Sequence, residues 1–457
     1  MTEKRATYPL TPSQETLFLA RKFSVHKSVT NIATSVIVRG VLDIPTLEKA
    51  ILIGIGRWDS FGLRLEKNHR EIRQYFGERA CEEIIRKDFS SKTSEQVEAF
   101  FHKEARKKMK IFNCTLARMF IIRTPEGHDG IFSVMSHLMM DSWAISYFYK
   151  DVMEIYYALV ESTPMPKELK SCEAALKKDL DYIGSDRAKK DLAFWQEEYQ
   201  KSEPYYTHVN GLEMLERYRK RKRKPEIRYG RAFFLRTTAS IEEQDLSSED
   251  VAKMLDFVTK NSIPSIQVLF LMGVRMYLAK VNGQQEDVGF YDVVARRGTL
   301  EEKFSGGTRV HFFPLRTIMP KDMTFAEGIS LLLDTQNQMY RHADFSPMEI
   351  IRIEKKYLPV SMMESYRTVA LTYQPLTMVL SSRVKFDARW YSNGAAGNPF
   401  YVTIMDGDGS GNLKCYYEYM DRQIRRKTVL QCHEFMRKVI LQGIRNPETT
   451  LGEIYRL

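Results

Sequence analysis

The stretch "SHLMMDSW", residues 136 to 143, places His137 and Asp141 four positions apart within an apolar, methionine-rich run. Spacing alone decides little. With nine histidines in the chain, a chance His–Asp pair at this interval arises in about a third of such sequences. The flanks carry the reading. Upstream, "LARMFIIRT", the turn "PEGHDG" and "IFSVMSHL" form the pattern of a β-hairpin whose second strand is apolar throughout. Downstream, Asp141 is a helix N-cap, and Trp143, Phe148, Val152, Ile155, Tyr156 and Leu159 recur at helical spacing. His137 therefore sits where a buried strand ends, and Asp141 where an amphipathic helix begins.

Outward from this junction the chain reads as alternating helices and strands. "TPSQETLFLARKF" predicts a helix capped by Thr11, with Pro12 in its first turn and Leu17, Phe18 and Phe23 near one face. "NIATSVIVRGVL" predicts a strand, "DIPTLEKAILIGIGRW" a helix capped by Asp43, and "FGLRLE" and "REIRQYF" two short strands. A second α/β unit begins near "AKKDLAFWQEEY". It contains a strand at "GRAFFLRTT", an acidic stretch, the helix "VAKMLDFVTKNS" and the buried helix "SIQVLFLMGVRMYLAKV". "EDVGFYDVVAR" reads as a strand ending at Arg296 and Arg297, and "FSGGTRVHFFPLRTI" as a Gly-kinked loop entering another. "NPFYVTIMDGDGSGNLKCYYEYM" is a hairpin, and "TVLQCHEFMRKVILQGI" a closing helix. The expectation is an α/β protein of two similar lobes, residues 1–180 and 181–457.

Composition excludes several classes. At 457 residues with 43% hydrophobic and 28% charged residues, the chain is globular in type. Its start has no apolar secretion signal, and its most apolar helix is short and broken by Arg275, so no membrane span is expected. Five scattered cysteines without a CxxC pair argue for a reducing cytoplasm and against a metal site or a disulfide framework. Seven basic groups stand among the eight positions "RYRKRKRK", residues 217 to 224, within a formal net charge of +11. This segment is either a solvated loop or arm, or a docking patch for an acidic partner, with Arg219, Arg221 and Arg223 as candidates. A carrier protein, a coenzyme phosphate and nucleic acid are partners of this kind; nucleic acid is the weakest of them and is not expected, since one Tyr is no aromatic interleaving and no DNA-reading motif accompanies it. No P-loop, GxSxG elbow or HExxH helix occurs, and "GDGSG" at 407 to 411 lies in a hairpin turn, where a phosphate cradle is not built. His311 and His342 have no ligand-like spacing and read as ordinary, partly buried histidines.

The sequence resembles the condensation domains of nonribosomal peptide synthetases, within the chloramphenicol-acetyltransferase-like acyltransferase superfamily. The family signature is HHxxxDG, whose second His is the active-site residue; here it reads Ser136-His137-Leu138-Met139-Met140-Asp141-Ser142. "YPLTPSQETLF" (8 to 18) is similar to the family's opening segment and "RWDSFGLRL" (57 to 65) to the segment with its Leu-Arg pair. "DVVARR" followed by "FSGGTRVHFFPLR" is similar to the loop and strand that cross between lobes, and "NPETTLGEI" to the usual last line of such a domain. Ser136 replaces the family's first His and leaves the catalytic position intact. Ser142 replaces its Gly and adds a side chain beside the active loop.

The resemblance implies two acetyltransferase-like lobes set as a V, a pseudo-dimer with the active site between them. It implies His137 as the catalytic residue, Asp141 as architecture with Arg64 as its arginine partner, and Ser136, Ser142 and Trp143 lining the site. The implied reaction is attack of an amine on an acyl thioester carried by phosphopantetheine of a carrier protein, or by CoA, with no cofactor bound by the chain itself. No adenylation or carrier domain fits this length, so a free-standing monomeric enzyme supplied in trans by an acyl or peptidyl carrier protein is expected. The rival readings are an acyl-CoA-dependent O- or N-acyltransferase and a catalytically inactive carrier-binding relative. "DARW" (387 to 390) is only a weak echo of the DFGWG motif of plant O-acyltransferases.

Overall fold

The computed structural model describes residues 5–69, 71–232, 237–374, 385–406 and 411–457. Two sheets organise them. The first has five strands in the order Phe386–Tyr391, Asn31–Val38, Asp129–Ser136, Ala117–Arg123 and Ile84–Asp88. All pairs are antiparallel except the last. The strand Asp129–Ser136 is buried at every position. Its apolar run lacks alternation because helices cover both faces: Ile44–Arg57 and Ser142–Glu161 on one side, Ser94–Arg106 on the other.

The second sheet has six strands, in the order His311–Ile318, Asp287–Val294, Val369–Gln374, Phe400–Met405, Leu413–Met420 and Ala239–Leu246. Helices Gln267–Val281, Phe325–Arg341 and Arg426–Arg445 pack on one face through the largest apolar cluster. Helix Gln267–Val281 is buried over twelve consecutive residues, Val268 to Ala279, as its all-round apolarity requires. The opposite face looks into a cavity between the sheets. The two α/β lobes thus form a V-shaped pseudo-dimer around that cavity. They are stitched together: strand Phe386–Tyr391 leaves the second lobe to pair with Asn31–Val38 of the first.

Several local expectations are corrected. The acidic stretch after "GRAFFLRTT" is itself a strand, Ala239–Leu246, at the edge of the second sheet. Its period is masked because Glu242 and Glu243 make ion pairs with Arg426 and Arg389 in place of apolar contacts. Among the described residues of "GRAFFLRTT", Gly230–Arg231 pairs as a short strand and Thr238 bridges Ala395; residues 233–236 lie outside those described. Most of "GDGSG" also lies outside them, while its flanking strands form the expected antiparallel hairpin. The first helix, Pro12–Phe23, buries Ser13, Gln14 and Arg21, leaving Phe23 exposed. Its inner face is part polar, because Gln14 supports the junction at His137, and part apolar, because Leu17 and Phe18 pack on the core of the first lobe as expected. The basic segment is no loop: six of its residues form the end of helix Glu213–Lys222, capped by Arg223 in the left-handed region. Among the described residues no helix is long and apolar enough to cross a membrane.

Candidate active site

The junction between strand Asp129–Ser136 and helix Ser142–Glu161 is fixed from several sides. The His137 amide donates to the Thr30 carbonyl at 2.7 Å, and the Met139 amide to the Ser136 carbonyl at 2.8 Å. Gln14, from the first helix, donates to the Leu138 carbonyl at 3.1 Å while bonded to Gln74 at 2.7 Å. Each of these loop groups, having left the sheet ladder, thus finds a partner, as burial demands. The segment "TPSQ" reaches the site through Gln14.

Asp141 carries the greatest load. It caps the helix by accepting from the Ala144 amide at 3.0 Å, and its side chain is fully buried. Its two oxygens also accept from Arg297 Nη2, both at 2.9 Å, and from the Arg309 amide at 3.0 Å. Arg297 further donates to the carbonyls of Gly307 at 3.0 Å and Ser305 at 3.0 Å, and to that of Glu302. Gly307 stands at φ +87, where an L side chain is strained, and its carbonyl also accepts from the Asp141 amide at 3.2 Å. At Gly306 a Cβ would fall 2.3 Å from Ser60 Oγ, so only glycine permits the approach. The "FSGGTRV" loop of the second lobe is thereby clamped onto the His137 junction of the first.

The arginine partner of Asp141 is therefore Arg297, not Arg64. Arg64 is also buried, but its guanidinium is committed to the carbonyls of Phe61, Leu63 and Glu78 at 2.7, 2.9 and 2.9 Å. Arg297, Thr308 and Arg309 escaped the sequence reading as site residues. The one signal for them was that "DVVARR" and "FSGGTRV" were the segments expected to cross between lobes. A pair separated by 156 positions has no local signature.

His137 lines the cavity, and its Nδ1 lies 3.2 Å from Thr308 Oγ1. Desolvation holds its pKa below the usual histidine value, and the nearby Asp141 carboxylate opposes part of that shift. When Nδ1–H donates to Thr308, the lone pair on Nε2 is left for a ligand in the cavity. Ser142 and Trp143 line the same wall, Trp143 anchored by its indole N–H on the Lys303 carbonyl at 3.1 Å. Ser136 does not reach it: it is buried in the sheet, its hydroxyl accepting from the Leu138 amide at 3.3 Å.

The cavity encloses about 970 Å³ between the two sheets, ample for two substrates. Buried ion pairs hold its rim. Arg296 reaches Asp179 at 2.9 Å and Asp344 at 2.8 Å, and Arg309 reaches Asp179 at 3.0 Å. His311 is fully buried, with Arg296 at 3.3 Å, and is held well below the usual histidine value by desolvation and then by that cation. His342 bonds Asp191 at 2.7 Å. The basic helix stands apart from this wall. Arg219 donates to the Ile227 carbonyl at 2.8 Å and pairs with Glu216 at 2.7 Å, so its role is partly structural. Arg221 and Arg223 are exposed.

Comparison with known proteins agrees with this architecture. Surfactin synthase subunit 1 of Bacillus subtilis (strain 168) is 22% identical over 98% of this chain, which covers 12% of that protein. Bacitracin synthase 2 of Bacillus licheniformis is 22% identical over 99% of the chain, covering 16% of its own length. The chain thus spans less than a fifth of either relative. Among solved structures, the first condensation domain of the calcium-dependent antibiotic synthetase, in complex with a substrate analogue, superposes with a TM-score of 0.81 at 15% identity and 98% coverage of both chains. A mutant starter condensation domain of rhizomide synthetase, in complex with C8-CoA, gives 0.81 at 17% identity, covering 98% of this chain and 97% of that one. The family description "Condensation domain" matches residues 4–457. A match over nearly the whole length, on the two-lobed fold those structures share, settles the assignment: the chain belongs to the condensation domain family of amide-bond-forming enzymes.

Proposed function

We propose that the chain transfers an acyl group from a phosphopantetheine-type thioester, on a carrier protein or CoA, to an amine. The observation that carries this reading is His137 at the wall of an inter-lobe cavity, with Nδ1 beside Thr308 and its backbone locked by the Asp141–Arg297 clamp. The amine nitrogen forms a bond to the thioester carbon, and the C–S bond breaks. His137 Nε2 accepts the proton that the amine loses and returns one to the departing thiolate. Holding both substrates in one cavity supplies much of the acceleration by proximity.

The test is amide formation by purified protein with an acyl-loaded carrier protein, an acyl-CoA or an acyl-N-acetylcysteamine thioester against pooled amines, read by mass spectrometry. No amide with any donor sinks the catalytic reading and leaves a carrier-binding role. The C8-CoA complex of the rhizomide starter domain is the reason to include the CoA arm.

Two expectations follow from the geometry. Thr308→Val should lower kcat about tenfold, the effect of losing one orienting hydrogen bond of about 1.4 kcal/mol, while thioester binding holds. An unchanged kcat would remove Thr308 from the orienting role. The basic helix is proposed as a carrier-docking patch. Since Arg219 is committed within the fold, the docking charge falls to Arg221 and Arg223. Arg221→Gln with Arg223→Gln should reduce kcat/KM for a carrier-bound donor several-fold at low salt. The difference should fade toward physiological salt, where screening sets in beyond about 8 Å. The neutral N-acetylcysteamine donor should be turned over as before; equal loss with both donors would make the helix a folding element only.

A further inference from the structure

Glu418, half-buried at the cavity wall, lacks the partners that the protein's buried acids have. Those acids find cationic or multiple hydrogen-bonding partners: Asp141 with Arg297, Asp151 with Arg57, Asp179 with Arg296, Glu354 with Arg367, and Asp292 with Gln336 and Tyr340. Glu418, in strand Leu413–Met420, lines the cavity, and among the described residues neither a hydrogen-bond donor nor a cation meets its carboxylate. Removal from bulk water alone pushes its carboxyl up to about 8.

Its neighbours are set by register. Across the ladder stand Tyr401 on one side and Ile241 on the other, and both line the cavity. Tyr416, two residues earlier on the same strand face, lines it as well, opposite Glu243. Glu243 is already paired with Arg389 at 3.0 Å, and Arg389 also holds Glu98 at 2.9 Å, so this arginine is engaged elsewhere. A lone carboxylate flanked by two tyrosine rings has the composition of a cation site. The acid supplies charge, and the ring faces supply the quadrupole attraction.

We propose that Glu418, with Tyr401 and Tyr416, is a subsite for an ammonium or guanidinium group carried by one of the two substrates, in addition to the reacting centre. This rests on the reading of the cavity as the place where thioester and amine meet. A cationic ligand draws the proton off Glu418 as it binds, so its affinity rises with pH through the carboxyl's titration, whereas a neutral isostere's does not. Among the described residues, the titratable and charged groups around Glu418 and its two tyrosines include Glu243, Asp245, Arg389 and Tyr391 beside Tyr416, and Asp292 beside Tyr401.

The test measures equilibrium binding by calorimetry, so that it reads with or without turnover. Argininamide against citrullinamide probes the acceptor side. Amide-linked mimics of the acyl–cysteamine thioester, built on Nα-acetylarginine or Nα-acetylcitrulline, probe the donor side. At pH 8.5 the wild type should bind the arginine member of one pair at least tenfold more tightly, and that arm identifies which substrate bears the cation. Between pH 8.5 and 6.5 the preference should shrink about tenfold or more. In Glu418→Gln the arginine-to-citrulline ratio should fall to about one at both pH values. Equal affinities in both pairs, no binding of either arginine probe, or a preference that survives in Glu418→Gln would each overturn the proposal and make Glu418 a hydrated wall residue. A preference seen in a protein that forms no amide would leave the subsite standing and remove the reaction.

Discussion

His137→Ala is expected to lower amide formation by about 10²- to 10⁴-fold, the range for deleting a general base. The side chain borders the cavity and leaves the backbone bond to Thr30 intact, so the fold should survive the change. Circular dichroism and thermal melting matching the wild type, together with the lost rate, would locate the effect in chemistry. The pH profile supplies an independent check. Only neutral imidazole accepts a proton, and burial holds the His137 pKa below its ordinary value near 6.5. The base form is therefore present at neutral pH and persists as pH falls below 6.5, so the acid limb of kcat should have its midpoint under 6.5. That limb should vanish in His137→Ala. Near-wild-type turnover in a well-folded variant would return His137 to a structural role.

What was legible in the sequence divides along physical lines. Patterns within about twenty residues were readable because they report local geometry: the hairpin before His137, the cap at Asp141 and the buried helix Gln267–Val281. The acidic edge of the second sheet was not. The strand Ala239–Leu246 carries acids where alternation would place apolar groups, because its partners are arginines on other elements. On the first helix the apolar contacts of Leu17 and Phe18 were legible and the polar ones were not: Gln14 and Arg21 are buried to bond backbone carbonyls, of which hydrophobic periodicity says nothing. The site was half legible. His137 and Asp141 lie in one motif, but Arg297 and Thr308 come from the other lobe, and both Arg64 and Arg297 bond carbonyls near them in the chain, so only the packing of the lobes shows which guanidinium also reaches Asp141. Glu418 carried no sequence signal at all. A glutamate in a strand reads as a solvent-facing position until the lobes close over it.

Asp141→Ala is expected to be the most destabilising of the single changes. It removes the helix cap, worth about 1 kcal/mol. It also strands Arg297, whose side chain is 1% exposed, and breaking such a buried pair costs about 3–5 kcal/mol. Arg297→Ala should be nearly as severe, since it leaves a fully buried carboxylate with only the Ala144 and Arg309 amides. Because the pair spans the two lobes, both changes should also loosen the clamp of the "FSGGTRV" loop on the His137 junction and depress turnover below what the folded fraction explains. Chemical denaturation of the two singles and the double should show a coupling of about 1–3 kcal/mol, the double being less damaged than the sum, since neither charge is then left alone. The same cycle between Asp141 and Arg64 should close to within about 0.5 kcal/mol, as Arg64 bonds carbonyls and not this carboxylate. Coupling at Arg64 and none at Arg297 would reverse the assignment. Additivity in both cycles would mean that Asp141 acts through its cap alone, and that the lobes are held at the site by the Gly306–Gly307 approach and not by charge.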